Sequence, residues 1–155
     1  MTNKINIIVD TSGSISENGK ASVIKNLLFA IGNIFQRDEY SAYDVDLMQW
    51  SNRIEKIKNL SHLEFKGSLD GLILRTYLEN MSENDSLILL SDGNFSTEVR
   101  SAFRNISKKE IKIYCMAIGA DSDLFSLKSV STYPIVFSSV DIINAISKVC
   151  CHLND

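Results

Sequence analysis

The chain has 155 residues, 45% of them hydrophobic and 23% charged, with a formal net charge of −3; this ordinary globular usage predicts a single domain over 1–155 and excludes disorder and fibrous designs. The acidic balance argues against a general nucleic-acid binder, which carries a basic surplus on one face. Apolar runs such as Leu87-Ile88-Leu89-Leu90 are far too short to cross a bilayer, and Met1-Thr2-Asn3-Lys4 lacks a secretory pattern, so the expectation is a cytoplasmic protein with no membrane contact.

In chain order, an apolar run over 5–9 stops at Asp10 and gives way to Thr11-Ser12-Gly13-Ser14, the expected end of a strand buried on both faces. Residues 20–35 place Val23, Leu27, Leu28, Ile31, Ile34 and Phe35 at helical spacing, so a helix with one buried face follows. Alternation over 43–50 and the stretch 54–57, joined by Ser51-Asn52-Arg53, predict a β-hairpin. Next come the loop Phe65-Lys66-Gly67-Ser68, a helix over 69–80, and a strand over 86–90 that again ends in polar residues, Ser91-Asp92-Gly93. A helix over 97–106, a strand over 111–118, a short helix over 124–130, a strand over 135–137 and a final helix over 140–153 complete an alternating α/β pattern with six strands. The last helix aligns Ile142, Ile143, Ile146, Val149, Cys150 and Leu153 along one side and is expected to pack on the sheet. No linker, charge block or fixed-period repeat marks a boundary. Cys115, Cys150 and Cys151 read as reduced thiols, and with only His62 and His152 no zinc cluster can be assembled.

Chemistry concentrates where strands end, because ligands of open α/β sheets bind at the carboxyl edge. Asp10 lies at that edge, Ser12 and Ser14 follow two and four residues on, and Gly13 lets the backbone curl to aim both hydroxyls at one point. Three hard oxygens suit Mg²⁺ or Mn²⁺ better than a soft metal. The same residues have a structural reading. Ser12 and Ser14 can cap the first helix, with Glu17 completing a capping box; Ser68 can cap the next helix, and Asp92-Gly93 can be a plain turn. Trp50, Phe95 and Tyr133 read as packing aromatics. An enzymatic reading also stays open: a Mg-dependent phosphatase or phosphoryl-transfer enzyme with Asp10 as nucleophile and metal on Asp92. Against it, position 12 offers serine where a second carboxylate is needed, and the chain has neither a phosphate-binding loop nor a dinucleotide fingerprint.

The string Asp10-Thr11-Ser12-Gly13-Ser14 resembles the D-x-S-x-S element of von Willebrand factor A (VWA) domains, which builds a metal-ion-dependent adhesion site (MIDAS). Lys66-Gly67-Ser68-Leu69 resembles the family's Gly-Thr loop, with Ser68 in place of Thr; serine keeps the hydroxyl and loses the methyl that limits its rotamers. The strand 87–90 with Ser91-Asp92-Gly93 is similar to the strand and Asp-Gly that complete the site.

The resemblance implies a Rossmann-like three-layer α/β/α sandwich, its mostly parallel six-stranded sheet in the order 3-2-1-4-5-6 with one antiparallel edge strand. It implies that Asp10, Ser12, Ser14, Ser68 and Asp92 gather around one Mg²⁺ or Mn²⁺. It further implies a non-enzymatic protein–protein interaction module in which an Asp or Glu of a partner protein completes the coordination. Carboxylates acting through bridging waters would leave the metal positive enough for that. Ser68 and Asp92 are the candidates for ligand exchange in any switch. Compact intracellular members suggest a bacterial stress-response or defence setting, with an AAA+ ATPase, kinase or phosphatase as partner. A scaffold with a vestigial metal site is the remaining alternative, kept open by Ser68.

Overall fold

The computed structural model of the chain describes residues 3–106 and 110–153. Its six strands are β1 (Asn3–Asp10), β2 (Tyr43–Trp50), β3 (Ile54–Lys56), β4 (Ser86–Ser91), β5 (Lys112–Ala117) and β6 (Phe137–Ser138). They form one sheet in the order β3-β2-β1-β4-β5-β6, as the resemblance implies. Only β3 runs antiparallel, against β2; every other pairing is parallel. The helices are α1 (Lys20–Phe35), α2 (Gly71–Glu79), α3 (Thr97–Asn105), α4 (Leu124–Val130) and α5 (Ile142–Leu153).

Strand periodicity divides the core in two. Ile5, Ile7 and Val9 of β1 and Ile88 and Leu90 of β4 point to one face, where α1 contributes Ile24, Leu27, Leu28 and Ile31 and α5 contributes Ile146 and Val149. Ile8, Leu87 and Leu89 point to the other, against Leu74 and Leu78 of α2, Val99 and Phe103 of α3 and Leu127 of α4. All six residues of β4 are buried, which is why it reads as an unbroken apolar run rather than an alternation. Truncating a residue such as Leu89 to Ala would cost about 2–5 kcal/mol, the usual penalty for a cavity in a filled core.

Several expected boundaries move. The second helix starts at Gly71, not Leu69, because the Asp70 side chain accepts from the N–H groups of Leu72 and Ile73 and caps it there. The last strand shifts to Phe137–Ser138, and a 3₁₀ turn over Ser139–Asp141 delays the final helix to Ile142. On that helix Ile146, Val149 and Cys150 are buried as expected, whereas Ile143 is 58% exposed; the buried stripe runs through Ala145 instead. The side chain of Leu153 lies outside the described residues. Trp50 is fully buried and donates its indole N–H to the Asp70 carbonyl at 3.2 Å. Tyr133 stacks on Phe137 with ring centroids 5.7 Å apart, and Phe95 lies 6.0 Å from Phe103; all three are packing aromatics. His152 hydrogen-bonds Tyr114 through Nδ1 at 2.8 Å.

A candidate metal centre at the carboxyl edge

β1 and β4 are neighbours, so the loops that follow them meet at the switch point of the sheet. The loop after β1 is held in three places: Thr11 donates to the Trp50 carbonyl through N–H and hydroxyl, Gly13 N–H donates to the Gly67 carbonyl at 2.9 Å, and Lys66 N–H donates to the Thr11 carbonyl at 3.0 Å. A Cβ at Gly13 would meet the Gly67 carbonyl at 3.5 Å, an ordinary van der Waals contact, and Gly13 is not among the glycines with positive φ, so the stitch is made by the backbone hydrogen bonds and does not require the glycine expected there. The result is a cleft of about 310 Å³ lined by Ser12, Ser14, Gly67, Ser68, Asn94 and Phe95 among others. Cavities of about 510 and 520 Å³ lie elsewhere, beside α3 and α4 and beside α2, and hold none of the residues singled out for chemistry.

Asp10 lies fully buried at the carboxyl end of β1. Its Oδ1 accepts from Ser12 N–H at 2.9 Å and from the Ser12 hydroxyl at 2.6 Å, while Oδ2 accepts from the Ser91 hydroxyl at 2.7 Å. The Ser12 and Ser14 hydroxyl oxygens are 3.3 Å apart. Neither serine caps a helix: a 3₁₀ turn over Gly13–Ser16 forms first, without a side-chain cap, and α1 begins from Gly19 in a left-handed conformation with φ 74°. Ser68 does not cap α2 either, since Asp70 does. None of the three hydroxyls is used as a helix cap; that of Ser12 donates to Asp10 and faces the Ser14 hydroxyl. Both oxygens of Asp10 being engaged beneath the surface, the carboxylate has no open approach to a phosphorus atom, which weighs against the nucleophile reading.

Asp92, 4% exposed, is placed differently. Its Oδ1 accepts from Asn94 N–H at 3.1 Å, and its Oδ2 lies 3.1 Å from the ammonium of Lys20, which also reaches Asp121 Oδ2 at 3.1 Å. Asp92 is therefore ion-paired rather than turned solely to the serines. Neither Lys20 nor Asp121 nor Ser91 was among the residues singled out from the sequence. One signal was present: a lysine as the first residue of a helix sits at the positive end of the macrodipole, an unfavourable place unless something specific holds it.

The electrostatics of the two carboxylates differ accordingly. Burial pushes the Asp10 carboxyl up to about 6; the Ser12 and Ser91 hydrogen bonds pull the other way and the Asp92 charge adds to the rise. Burial alone would draw the Lys20 ammonium down, yet hydrogen bonds to Asp121 and Asp92 outweigh it and keep its pKa above the ordinary lysine value. Among the described residues no group of three or more His, Cys, Asp or Glu could hold a metal ion, so any cation here would rely on hydroxyls. The donors are hard oxygens, the type that suits a hard divalent ion: the Ser12 and Ser14 hydroxyls lie 3.3 Å apart on a cleft that Ser68 also lines, whereas Asp10 lies beneath it with both oxygens hydrogen-bonded and Asp92 is paired with Lys20.

The sequence matches no family model, and no curated protein matches it. Solved structures match over nearly the full chain. Proximal thread matrix protein 1 from the mussel byssus superposes with a TM-score of 0.72 at 16% identity, covering 97% of this chain and 48% of that one. A von Willebrand factor type A protein from Catenulispora acidiphila gives 0.68 at 13% identity, over 95% and 41% of the two chains. The chain has the von Willebrand factor A fold. Manganese-loaded TRAP protein from Plasmodium vivax shares this VWA fold with a TM-score of 0.70 at 11% identity, over 94% and 72%, and the mussel protein has also been solved with a zinc-occupied MIDAS motif. The chain spans about half the length of the first of these VWA neighbours.

Proposed function

We propose that this VWA-fold chain is a divalent-cation-dependent docking module, in which Asp10, Ser12, Ser14, Ser68 and Asp92 hold Mg²⁺ or Mn²⁺ and an Asp or Glu side chain of a partner protein completes the coordination. The observation that carries the reading is the buried Asp10 carboxylate with the Ser12 and Ser14 hydroxyls beside it, none of them used as a helix cap. A bound cation supplies a positive charge to which a carboxylate can bind. The chain's own part is to fix the hydroxyl oxygens through the Gly13–Gly67 stitch and to keep Asp10 out of bulk water. The metal-loaded state of TRAP and the zinc-occupied MIDAS of the mussel protein support the analogy.

A protein is the partner that fits best. Asp123 N–H donates to the Asp92 carbonyl at 2.7 Å, so the start of α4 adjoins the site, and there Leu124 and Phe125 are 56% and 83% exposed. Exposed apolar side chains beside a polar cleft are the makeup of a docking surface, where an aromatic anchors and a charge orients. The proposal includes a non-enzymatic role and a cytoplasmic setting in a bacterial stress-response or defence system, with an AAA+ ATPase, kinase or phosphatase as partner. Three free cysteines, one of them exposed, suit a reducing compartment. Among the described residues no helix is long and apolar enough to cross a membrane.

The test is thermal melting of wild type and Ser14→Ala in EDTA, Mg²⁺ and Mn²⁺. A cation that binds the folded state raises the wild-type midpoint, and the variant should lose most of that rise. Equal curves in all three buffers would leave a vestigial scaffold. Pull-down with wild type and Asp10→Ala in Mg²⁺ then identifies partners that depend on the site.

A further inference from the structure

Lys20 is the one buried basic residue among the described residues. Its side chain is 3% exposed, and burying an ammonium is unfavourable unless it is paired and hydrogen-bonded. The fold provides a dedicated berth. Gly119, at φ 89°, leaves the space the stem occupies: a Cβ there would lie 2.6 Å from Lys20 Cδ and 2.8 Å from its Cγ. The ammonium then sits between two carboxylates of unlike character, Asp92 at 5% side-chain exposure and Asp121 at 51%. Asp92 belongs to the candidate metal centre; Asp121 follows β5 and is half in solvent.

From this geometry we infer that Lys20 is a resident counter-ion of the metal centre, competing with the divalent cation for Asp92 and so setting the cation concentration at which the docking site fills. The inference rests on the metal-site reading above. A carboxylate oxygen that already accepts from an ammonium is a weaker ligand for a second cation, and a fixed positive charge at that distance opposes the arrival of a dication. Asp121 is the second half of the device. It offers the ammonium a partner that needs no movement of backbone, so that Asp92 can be given up to the cation without leaving Lys20 uncompensated in the interior. The pairing is an exchange of partners within one triad, and differential affinity of the cation for the two arrangements is what would shift it.

The test is calorimetric titration of Mn²⁺ into wild type, Lys20→Met, Asp121→Asn, Ser14→Ala and, as a control for charge near the rim, Lys66→Met. Circular dichroism and urea unfolding confirm that each is folded. The expected results are affinity raised about tenfold or more by Lys20→Met, lowered about threefold or more by Asp121→Asn, and changed less than about twofold by the exposed Lys66→Met at physiological salt. Should Lys20→Met fold poorly without metal, Asp121→Asn, an exposed carboxylate, carries the test alone. If wild type binds Mn²⁺, Ser14→Ala does not, and both Lys20→Met and Asp121→Asn match wild type, the counter-ion role is overturned while the metal site stands. If neither wild type nor Lys20→Met binds, or if Ser14→Ala binds as wild type does, the metal site falls and the counter-ion role with it.

Discussion

The carboxylate that ends β1 and the one that directly follows the neighbouring strand β4 are both buried and are satisfied in opposite ways. Asp10 is held by neutral donors, Ser12 and Ser91; Asp92 is held by an ammonium. A carboxylate met by dipoles alone keeps its charge unbalanced, and burial then raises its pKa, as for Asp10 at about 6. A carboxylate met by an internal cation is balanced without any ligand. One side of the site is thus prepared for an incoming positive charge, and the other already contains one.

The comparison breaks most visibly at Lys20. Lys20→Met leaves Asp92 buried without its cation, and removing one partner of a buried ion pair costs about 3–5 kcal/mol; urea unfolding in EDTA should show a loss near the lower end, because Asp92 keeps its hydrogen bond from Asn94 N–H. A loss under about 1 kcal/mol would mean that the pair is solvated and the contrast with Asp10 is illusory. Gly119→Ala attacks the same berth through the backbone. It forces a side chain onto φ 89° and into the Lys20 stem, and the expected cost is about 2 kcal/mol, read as a lower urea midpoint with an unchanged slope.

Asp10→Asn should behave in the opposite sense. The amide retains an oxygen for Ser12 and removes a charge that burial disfavours, so stability in EDTA at pH 7 should change by less than about 1 kcal/mol, while the midpoint rise with Mg²⁺ or Mn²⁺ disappears. A large loss in EDTA would show that the charge itself is needed for folding.

The smallest effect comes from Asp46, which pairs with Lys4 and Lys56 at 2.9 Å each, on lysines 39% and 65% exposed. The Lys56 hydrogen bond, opposed by partial burial and helped by Lys4, holds the Asp46 pKa below its ordinary value. Because the folded pKa is the lower one, this contribution is present above the unfolded value near 4 and is lost as pH falls through the folded value. Asp46→Asn should cost about 0.5–1 kcal/mol at pH 7 and 50 mM salt, less at 1 M salt, and nothing once pH is below the folded pKa. It is the solvent-exposed counterpart of the Lys20 triad, and a salt-independent loss would contradict that description.

What was legible in the chain was whatever repeats at short range. Period-two and period-3.6 spacing placed the strands and helices, with ends wrong by one or two residues where a particular cap, such as Asp70, decided the start. The run ending at Asp10, the hydroxyls at 12 and 14 and the second run ending at Asp92 marked the carboxyl edge, because strand termini and small polar residues announce themselves locally. Local rules also misled: Ser14 with Glu17 has capping-box spacing, but α1 starts from Gly19.

What only the tertiary structure decided was which charges meet. Lys20 finds Asp92 and Asp121, 72 and 101 positions away, and Ser91 reaches Asp10 across 81. No periodicity encodes such pairings. They follow from strand order, which sets β1 beside β4 and β4 beside β5, and from the vacancy above Gly119 that a lysine stem can occupy. Sequence by itself determined which groups stand at the edge of the sheet; packing decided which of them are already neutralised, since that depends on distances only the folded chain possesses.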